Sequence, residues 1–277
     1  MFSFGGIMAQ GHSESPLSHV VDHPSLEFPG IEIHLGSIGG IQITRFMVME
    51  VVAAVLIAAI VIPLSRHAAK NRVTRGKLLN AFEAILLFIR DRVARPAIGG
   101  HGADDFVPFL WTIFLFVLFC NLLGMIPGGA SPTGNINVTG TLAIITLCAV
   151  IVAGSREKGI VGFWTGIVPH LDVPKLLKPP LWGLMFVIEV AGLFIRHVVL
   201  SVRLFANMLA GHIVLAVILG FILQVAGMLV YIKVPVTMAS VAGAAALSVL
   251  ELFVAFLQAY IFTFLAAIFI GSAVHSH

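Results

Sequence analysis

The sequence is poor in charged residues and nearly lacks cysteine. Lysine, arginine, aspartate and glutamate make up only 10% of its 277 residues, whereas a soluble domain usually carries about 25%. Hydrophobic residues account for 59%, and the mean hydropathy is +1.05. A chain of this composition cannot cover a water-facing surface, so it is predicted to be an integral membrane protein.

Two further absences exclude other classes of protein. The two cysteines, Cys120 and Cys148, lie within apolar runs, which gives neither a disulfide framework nor the spacing of a metal site. The sequence also lacks the G-x-x-x-x-G-K loop that cradles nucleotide phosphates. We therefore expect no ATP chemistry in this chain, no cofactor and no metal centre.

The first 45 residues are mixed in composition and rich in turn-forming residues. Four histidines in this segment allow a metal site, but a solvated tail is the favoured interpretation. These histidines are His12, His19, His23 and His34.

Apolar runs predict about five membrane-spanning helices. A span needs ~20 residues, and three runs approach that length: 46–64, 106–126 and 138–153. The third run could continue through 160–168 after a break. Between the first two, residues 78–95 place apolar side chains at helical spacing among charged ones, which predicts an amphipathic helix on the membrane surface.

The last third contains two longer runs, 181–232 and 235–274. The first has no proline or turn cluster, and as one helix it would be roughly 78 Å long, against a hydrocarbon core of ~30 Å. We therefore predict an all-α integral membrane protein whose last two helices are long and steeply tilted. They are expected to pair as a hairpin around Lys233 and Pro235.

The positive charges set the orientation. Twelve of the sixteen lysines and arginines lie in segments 66–95 and 156–178, and the positive-inside rule makes those segments cytoplasmic. Residues 1–45 are then an extracytoplasmic N-terminal segment, residues 46–277 form the membrane domain, and the C-terminus is cytoplasmic.

Six ionisable residues lie within the two long runs, where each is costly in a bilayer and by default indicates an ion or substrate path. On an ideal helix, Glu189, Arg196 and Arg203 share one stripe, because they are seven residues apart. The amide of Asn207 lies close to that stripe, and His212 points to roughly the opposite side. Arg203 should therefore face something outside the subunit, and His212 should face another helix of the same subunit. The six residues are Glu189, Arg196, His197, Arg203, His212 and Glu251, and the amide is Asn207.

Other interpretations remain open for some of these residues. Arg196 could place its charge at the cytoplasmic interface, Glu189 could be its ion-pair partner, and His212 could be a packing residue. A transporter that binds an anion at Arg203 is a second candidate function, but it should show paired repeats with interrupted helices, which the sequence lacks. A purely structural anchor would not need Arg203, His212 and Glu251.

Four motifs stand out in the membrane domain: RLFANMLAGH at 203–212, NLLGMIP at 121–127, NINVT at 135–139, and EL followed by LQAY at 251–260. Together they resemble subunit a of F-type ATP synthases, the stator half of a proton channel. The resemblance extends over nearly all of the chain from about residue 40. It implies a non-catalytic subunit that gives protons two half-channels to and from the carboxylates of a rotor ring.

The resemblance also implies roles for individual residues. Arg203 matches the essential stator arginine, and Gln258 and Asn207 match its polar neighbours. Glu189 matches an acid of the cytoplasmic half-channel. The outer half-channel is matched by His212, Glu251 and Asn121.

Some positions depart from the family pattern. The acid and the imidazole at positions 212 and 251 are exchanged relative to better-known bacterial members, as in mitochondrial relatives. Gly124 stands where some members carry an aspartate, Ala206 replaces a common glycine, and the proline often found near position 197 is absent.

The resemblance implies several partners: a ring of small hairpin c subunits, the b subunits of a peripheral stalk, a soluble ATPase head and membrane lipid, but no nucleic acid. The expected location is the inner membrane of a bacterium.

Overall fold

The computed structural model describes residues 25–28, 31–34, 37–38, 41–42, 44–70, 76–99, 102–126, 131–168, 178–225 and 227–275. Within these residues, five helices are long and apolar enough to cross a membrane. The predicted class, an all-α membrane protein with about five spans, is confirmed. Three of the N-terminal histidines, His12, His19 and His23, lie outside the described residues.

Two small antiparallel hairpins precede the helices, where the sequence suggested only a turn-rich tail. Strands β1 (Ser25–Phe28) and β2 (Ile31–His34) pair with Leu26 opposite Ile33, and β3 (Ser37–Ile38) pairs with β4 (Ile41–Gln42). The sequence did contain a signal for the first hairpin that the prediction did not use: apolar and polar residues alternate on both sides of a Pro-Gly dipeptide.

Helix α1 (Arg45–Lys70) lies at the edge of the bundle and exposes most of its apolar side chains. It contacts the rest through a narrow face, on which Ala53 packs against Cys120 and Leu123. An isolated apolar helix with so little burial needs lipid or another protein around it.

The predicted surface helix is one continuous helical segment made of α2 (Lys77–Phe88), a π-helical stretch (Ile89–Ala94) and α3 (Arg95–Ile98). Its apolar face is buried against α4 (Ala103–Gly124) and the last helix. The guanidinium of Arg90 donates two hydrogen bonds of 2.8 Å to the carboxylate of Asp104 in α4. This segment is therefore tied firmly to the bundle.

The third span is longer than the predicted 138–153, because α5 runs from Ile136 to Gly166 with a break at Gly159. Gly159 has φ 75° and ψ 161°, a conformation that favours glycine. The chain folds back after it, so that Phe163 packs directly on Gly154. A short 3-10 turn, Pro132–Gly134, precedes α5.

The last two helices are α6 (Lys178–Gln224) and α7 (Val230–His275), of 47 and 46 residues. Helix α6 ends at Gln224 and α7 begins at Val230, so the expected hairpin around Lys233 and Pro235 was placed too late in the sequence. Pro235 lies inside α7, near its start, and Gly227 lies in the connection. At ~1.5 Å per residue α6 is roughly 70 Å long, more than twice the bilayer core.

The core of the bundle lies between α4 and α7. Large side chains such as Phe114, Leu110, Phe262 and Ile270 are almost fully buried there. Helix α6, by contrast, is largely exposed along its length and buries a single stripe against α5 and α7. Its opposite face is therefore open to lipid or to a partner.

Candidate functional site

The charged stripe of α6 lies on the exposed side of the helix. Arg196 and Arg203 are exposed and Glu189 is partly exposed, whereas Leu200 and Leu204 are buried. This division follows directly from the helical period, because residues seven apart share a face. The permanent charge of Arg203 thus points away from the rest of the subunit.

The two arginines of this stripe have different surroundings. Arg196 Nη2 lies 4.0 Å from Glu189 Oε2, and both side chains retain substantial exposure. An ion pair this long and this open contributes little to stability. Within the described part of the chain, no carboxylate lies within ion-pair distance of Arg203.

A pair of ionisable residues, His212 and Glu251, lies between α6 and α7. His212 Nδ1 is 3.9 Å from Glu251 Oε1, and the two side chains are 23% and 11% exposed. His212 is nine residues beyond Arg203, or about 13.5 Å along the helix axis, and it is on the other side of α6. The structure thus separates an outward-facing guanidinium from an inward-facing imidazole–carboxylate pair.

Gly211 makes room for this pair. A Cβ at position 211 would lie only 2.9 Å from Oε1 of Glu251 and 3.3 Å from its Cδ. The carboxylate therefore lies directly against the backbone of α6. Nothing in the sequence alone identified Gly211 as a contact of Glu251.

The polar side chains around these groups retain unused hydrogen-bonding capacity. Among the buried side-chain atoms of the described residues that have no hydrogen-bond partner, four belong to these groups, although buried polar atoms are usually paired. They are Asn207 Nδ2, His212 Nε2, Glu251 Oε1 and Gln258 Nε2. Gln258 is buried on α7, two turns beyond Glu251.

Asn121 is fully buried and lies in a hydrogen-bonded network. Its amide Nδ2 donates to the carbonyl of Ala255 at 3.3 Å, and its Oδ1 accepts from Thr133 Oγ1 at 2.6 Å. Thr133 in turn lies 2.7 Å from Ser131 Oγ. The sequence singled out Asn121 but missed both hydroxyls, which appear there only as part of a turn-rich stretch.

The sequence reasoning also missed a role for Arg45. This residue begins α1, is almost completely buried, and lies within electrostatic range of His212. Its position at the start of the first span, outside the two basic segments, was the available signal, because a charge buried beside a span is costly.

The buried face of α6 carries further polar groups outside the predicted site. His197 Nδ1 contacts the Leu193 carbonyl at 2.8 Å, and its ring packs on Phe269. Ser201 Oγ donates to Thr139 Oγ1 of α5 at 3.1 Å. These contacts join α6 to its neighbours and leave Arg203 on the open side.

The known proteins described next, to which this chain is similar, all carry the same family description. A family model described as "ATP synthase A chain" matches residues 47–271. The chain is 43% identical over 266 residues to ATP synthase subunit a of Chloroherpeton thalassium, covering 93% of this chain and 76% of that protein. It is 41% identical over 279 residues to the subunit a of Chlorobium phaeobacteroides, with 96% and 78% covered. The subunit a of Myxococcus xanthus is 42% identical over 240 residues, with 86% and 75% covered.

Proposed function

This chain belongs to the ATP synthase A chain family, and on that premise we propose that it is the stator that guides protons to and from a rotor ring. In this role it provides one half-channel from each side of the membrane and performs no ATP chemistry itself. The coupling of proton flow to rotation and ATP synthesis then depends on Arg203.

The exposure of Arg203 without an acidic partner in the described chain is the observation that carries the proposal. A carboxylate on a rotor can cross lipid only when it is neutral, because burying an unpaired anion in hydrocarbon is prohibitively costly. An outward-facing guanidinium offers such a carboxylate an opposite charge at one place on its path. That charge favours release of the proton there.

Arginine suits this position because it stays protonated in proteins and has no acceptor. It therefore attracts the ionised carboxylate without relaying a proton between the two half-channels. We assign to Asn207, one turn beyond it on α6, and to Gln258 on α7 the role of neutral polar neighbours of this arginine. An arginine paired too tightly would stop rotation, and neutral neighbours avoid this.

The two half-channels are assigned to the two sides of Arg203. His212, Glu251 and Asn121 belong to the outer path, where an imidazole 3.9 Å from a carboxylate can pass a proton by small movements. Glu189 belongs to the cytoplasmic path. The alternative is that Glu189 serves only as the ion-pair partner of Arg196, which lies 4.0 Å away, and a substitution at Glu189 separates the two roles.

The energy available to such a path is set by the membrane potential. Each proton that crosses ~100 mV releases about 2.3 kcal/mol, so several protons must be collected for each ATP. The partners that this requires are a ring of small hairpin c subunits, b subunits that hold the stator, and a soluble ATPase head. The proposed location is a bacterial inner membrane, with the N-terminus outside and the C-terminus in the cytoplasm.

Substitution of Arg203 tests this function. Arg203→Ala should abolish proton-driven ATP synthesis in vesicles while the complex still assembles. Arg203→Lys should also fail or nearly fail, because an ammonium is a point charge on a flexible stem and holds its proton less securely when desolvated. Near-normal synthesis by the lysine variant would refute the role assigned to Arg203.

A further inference from the structure

A buried chain of polar side chains joins α4, the 3-10 turn and α7 close to Glu251. Asn121 in α4 donates to the Ala255 carbonyl in α7 and accepts from Thr133 in the turn. Ser131 lies within hydrogen-bond distance of Thr133 and donates to the carbonyl of Cys120 at 3.2 Å. The side chains of Asn121, Ser131 and Thr133 are no more than 2% exposed.

The network holds α7 at one level of the bundle. A helix carbonyl has two lone pairs, so Ala255 can accept the Asn121 amide in addition to its own helical hydrogen bond. Ala255 lies four residues after Glu251, one helical turn away on the same side. A shift or rotation of α7 at Ala255 would therefore also move Glu251.

Movement of Glu251 would change its contacts with α6. Its Oε1 lies close to the backbone at Gly211 and 3.9 Å from His212 Nδ1. The 3-10 turn is itself packed closely, because a Cβ at Gly124 would overlap Ser131. The turn thus sits in a fixed place on α4 and presents Thr133 to Asn121.

We propose that Thr133 is a positioning residue of the outer proton path. Through Asn121 it keeps α7 in the register that places Glu251 beside Gly211 and His212. This inference rests on the proposed function and assigns the 3-10 turn a role in it. Thr133 touches neither member of the imidazole–carboxylate pair and acts on it only through Asn121 and Ala255.

Thr133→Val tests the role, because valine keeps the side-chain shape and removes the hydroxyl. Thr146→Val is a matched control, since Thr146 is also fully buried but its hydroxyl bonds only to the Leu142 carbonyl of its own helix. Thr133→Ser keeps the hydroxyl that Thr133→Val removes. Each variant is assayed as the intact complex in vesicles, by ATP-driven proton pumping and by the pH profile of passive proton flux.

We expect Thr133→Val to slow pumping by about tenfold, since leaving a buried polar group without its partner shifts an equilibrium by about that factor. The pH profile should also shift, because Glu251 and His212 change their separation. Thr133→Ser should recover most of the flux, and Thr146→Val should change neither readout. Equal effects of the two valine substitutions, or slower flux with an unchanged pH profile, would overturn the positioning role.

If the Thr133→Val complex does not assemble, Ser131→Ala decides the question. It removes the hydroxyl that lies 2.7 Å from Thr133 Oγ1 and anchors the turn to the Cys120 carbonyl, but it keeps the Asn121 contact, so we expect a smaller loss of flux with a pH shift in the same direction. An unchanged pH profile would overturn the proposal.

Glu251→Gln in the same vesicles separates this proposal from the function it rests on. Loss of pumping in Glu251→Gln together with normal behaviour of Thr133→Val and Ser131→Ala would refute only the positioning role. Normal pumping by Glu251→Gln would refute the outer path itself.

Discussion

Gly211→Ala tests whether proton uptake depends on the close approach of Glu251 to α6. The substitution adds one methyl group to a helix position, which by itself stabilises a helix by roughly 0.5–1 kcal/mol. The new Cβ would lie 2.9 Å from Glu251 Oε1, about 0.5 Å closer than ordinary carbon–oxygen contact allows. The carboxylate must therefore move, while the helix itself gains stability.

The effect can be worked from the distance to His212. Moving the carboxylate from 3.9 Å to about 4.4 Å weakens its attraction to a protonated imidazole by about 0.5 kcal/mol at an effective dielectric constant of ~20, and a displacement of about 1 Å weakens it by about 0.9 kcal/mol. These energies correspond to roughly twofold and fivefold changes. We expect Gly211→Ala to slow proton pumping by about two- to fivefold.

The assay is ATP-driven proton pumping in vesicles with equal amounts of assembled complex. Gly220→Ala is the matched control, because Gly220 is on the same helix and a Cβ there meets nothing within 4 Å. Combining Gly211→Ala with Glu251→Asp shortens the acid and makes room for the methyl group, so the two changes should couple in a double-mutant cycle. Equal pumping by the two alanine variants would refute the reasoning, as would strictly additive losses in the cycle.

Two further experiments test the remaining assignments. Glu189→Gln should slow passive proton flux without uncoupling it, and flux unchanged across the pH range of the assay would mean that Glu189 only pairs with Arg196. His212→Glu places two acids together and Glu251→His two imidazoles, so each alone should impair pumping, while the double exchange should recover a substantial part. Measured pumping of all four forms gives the coupling, and additive losses would show that the two residues do not cooperate.

The charged stripe of α6 could be predicted because it depends only on local geometry. Residues seven apart on a helix share a face whatever surrounds them, so the sequence placed Glu189, Arg196 and Arg203 together and His212 on another side. The structure has the same arrangement, with Arg203 exposed. The roles of these residues in proton transfer stay predictions.

The hairpin connection was harder to locate, because proline is an ambiguous signal. A proline ends a helix in many contexts, which favoured Lys233–Pro235. The structure accommodates Pro235 within α7, and the connection follows the end of α6 at Gln224 instead. Gly227 is a weak signal by itself, since neighbouring glycines such as Gly220 lie within the helix.

The sequence by itself determined the class of protein, the number of spans, the family and the face on which Arg203 lies. Composition and helical period are properties of the chain alone, and the motifs can be read without coordinates. Only the tertiary structure decided that Glu251 lies against Gly211, that Thr133 bonds to Asn121, and that Asn121 reaches Ala255, 134 positions further along the chain. Such contacts depend on how α4, α6 and α7 slide and rotate against one another, and local periodicity does not specify that packing.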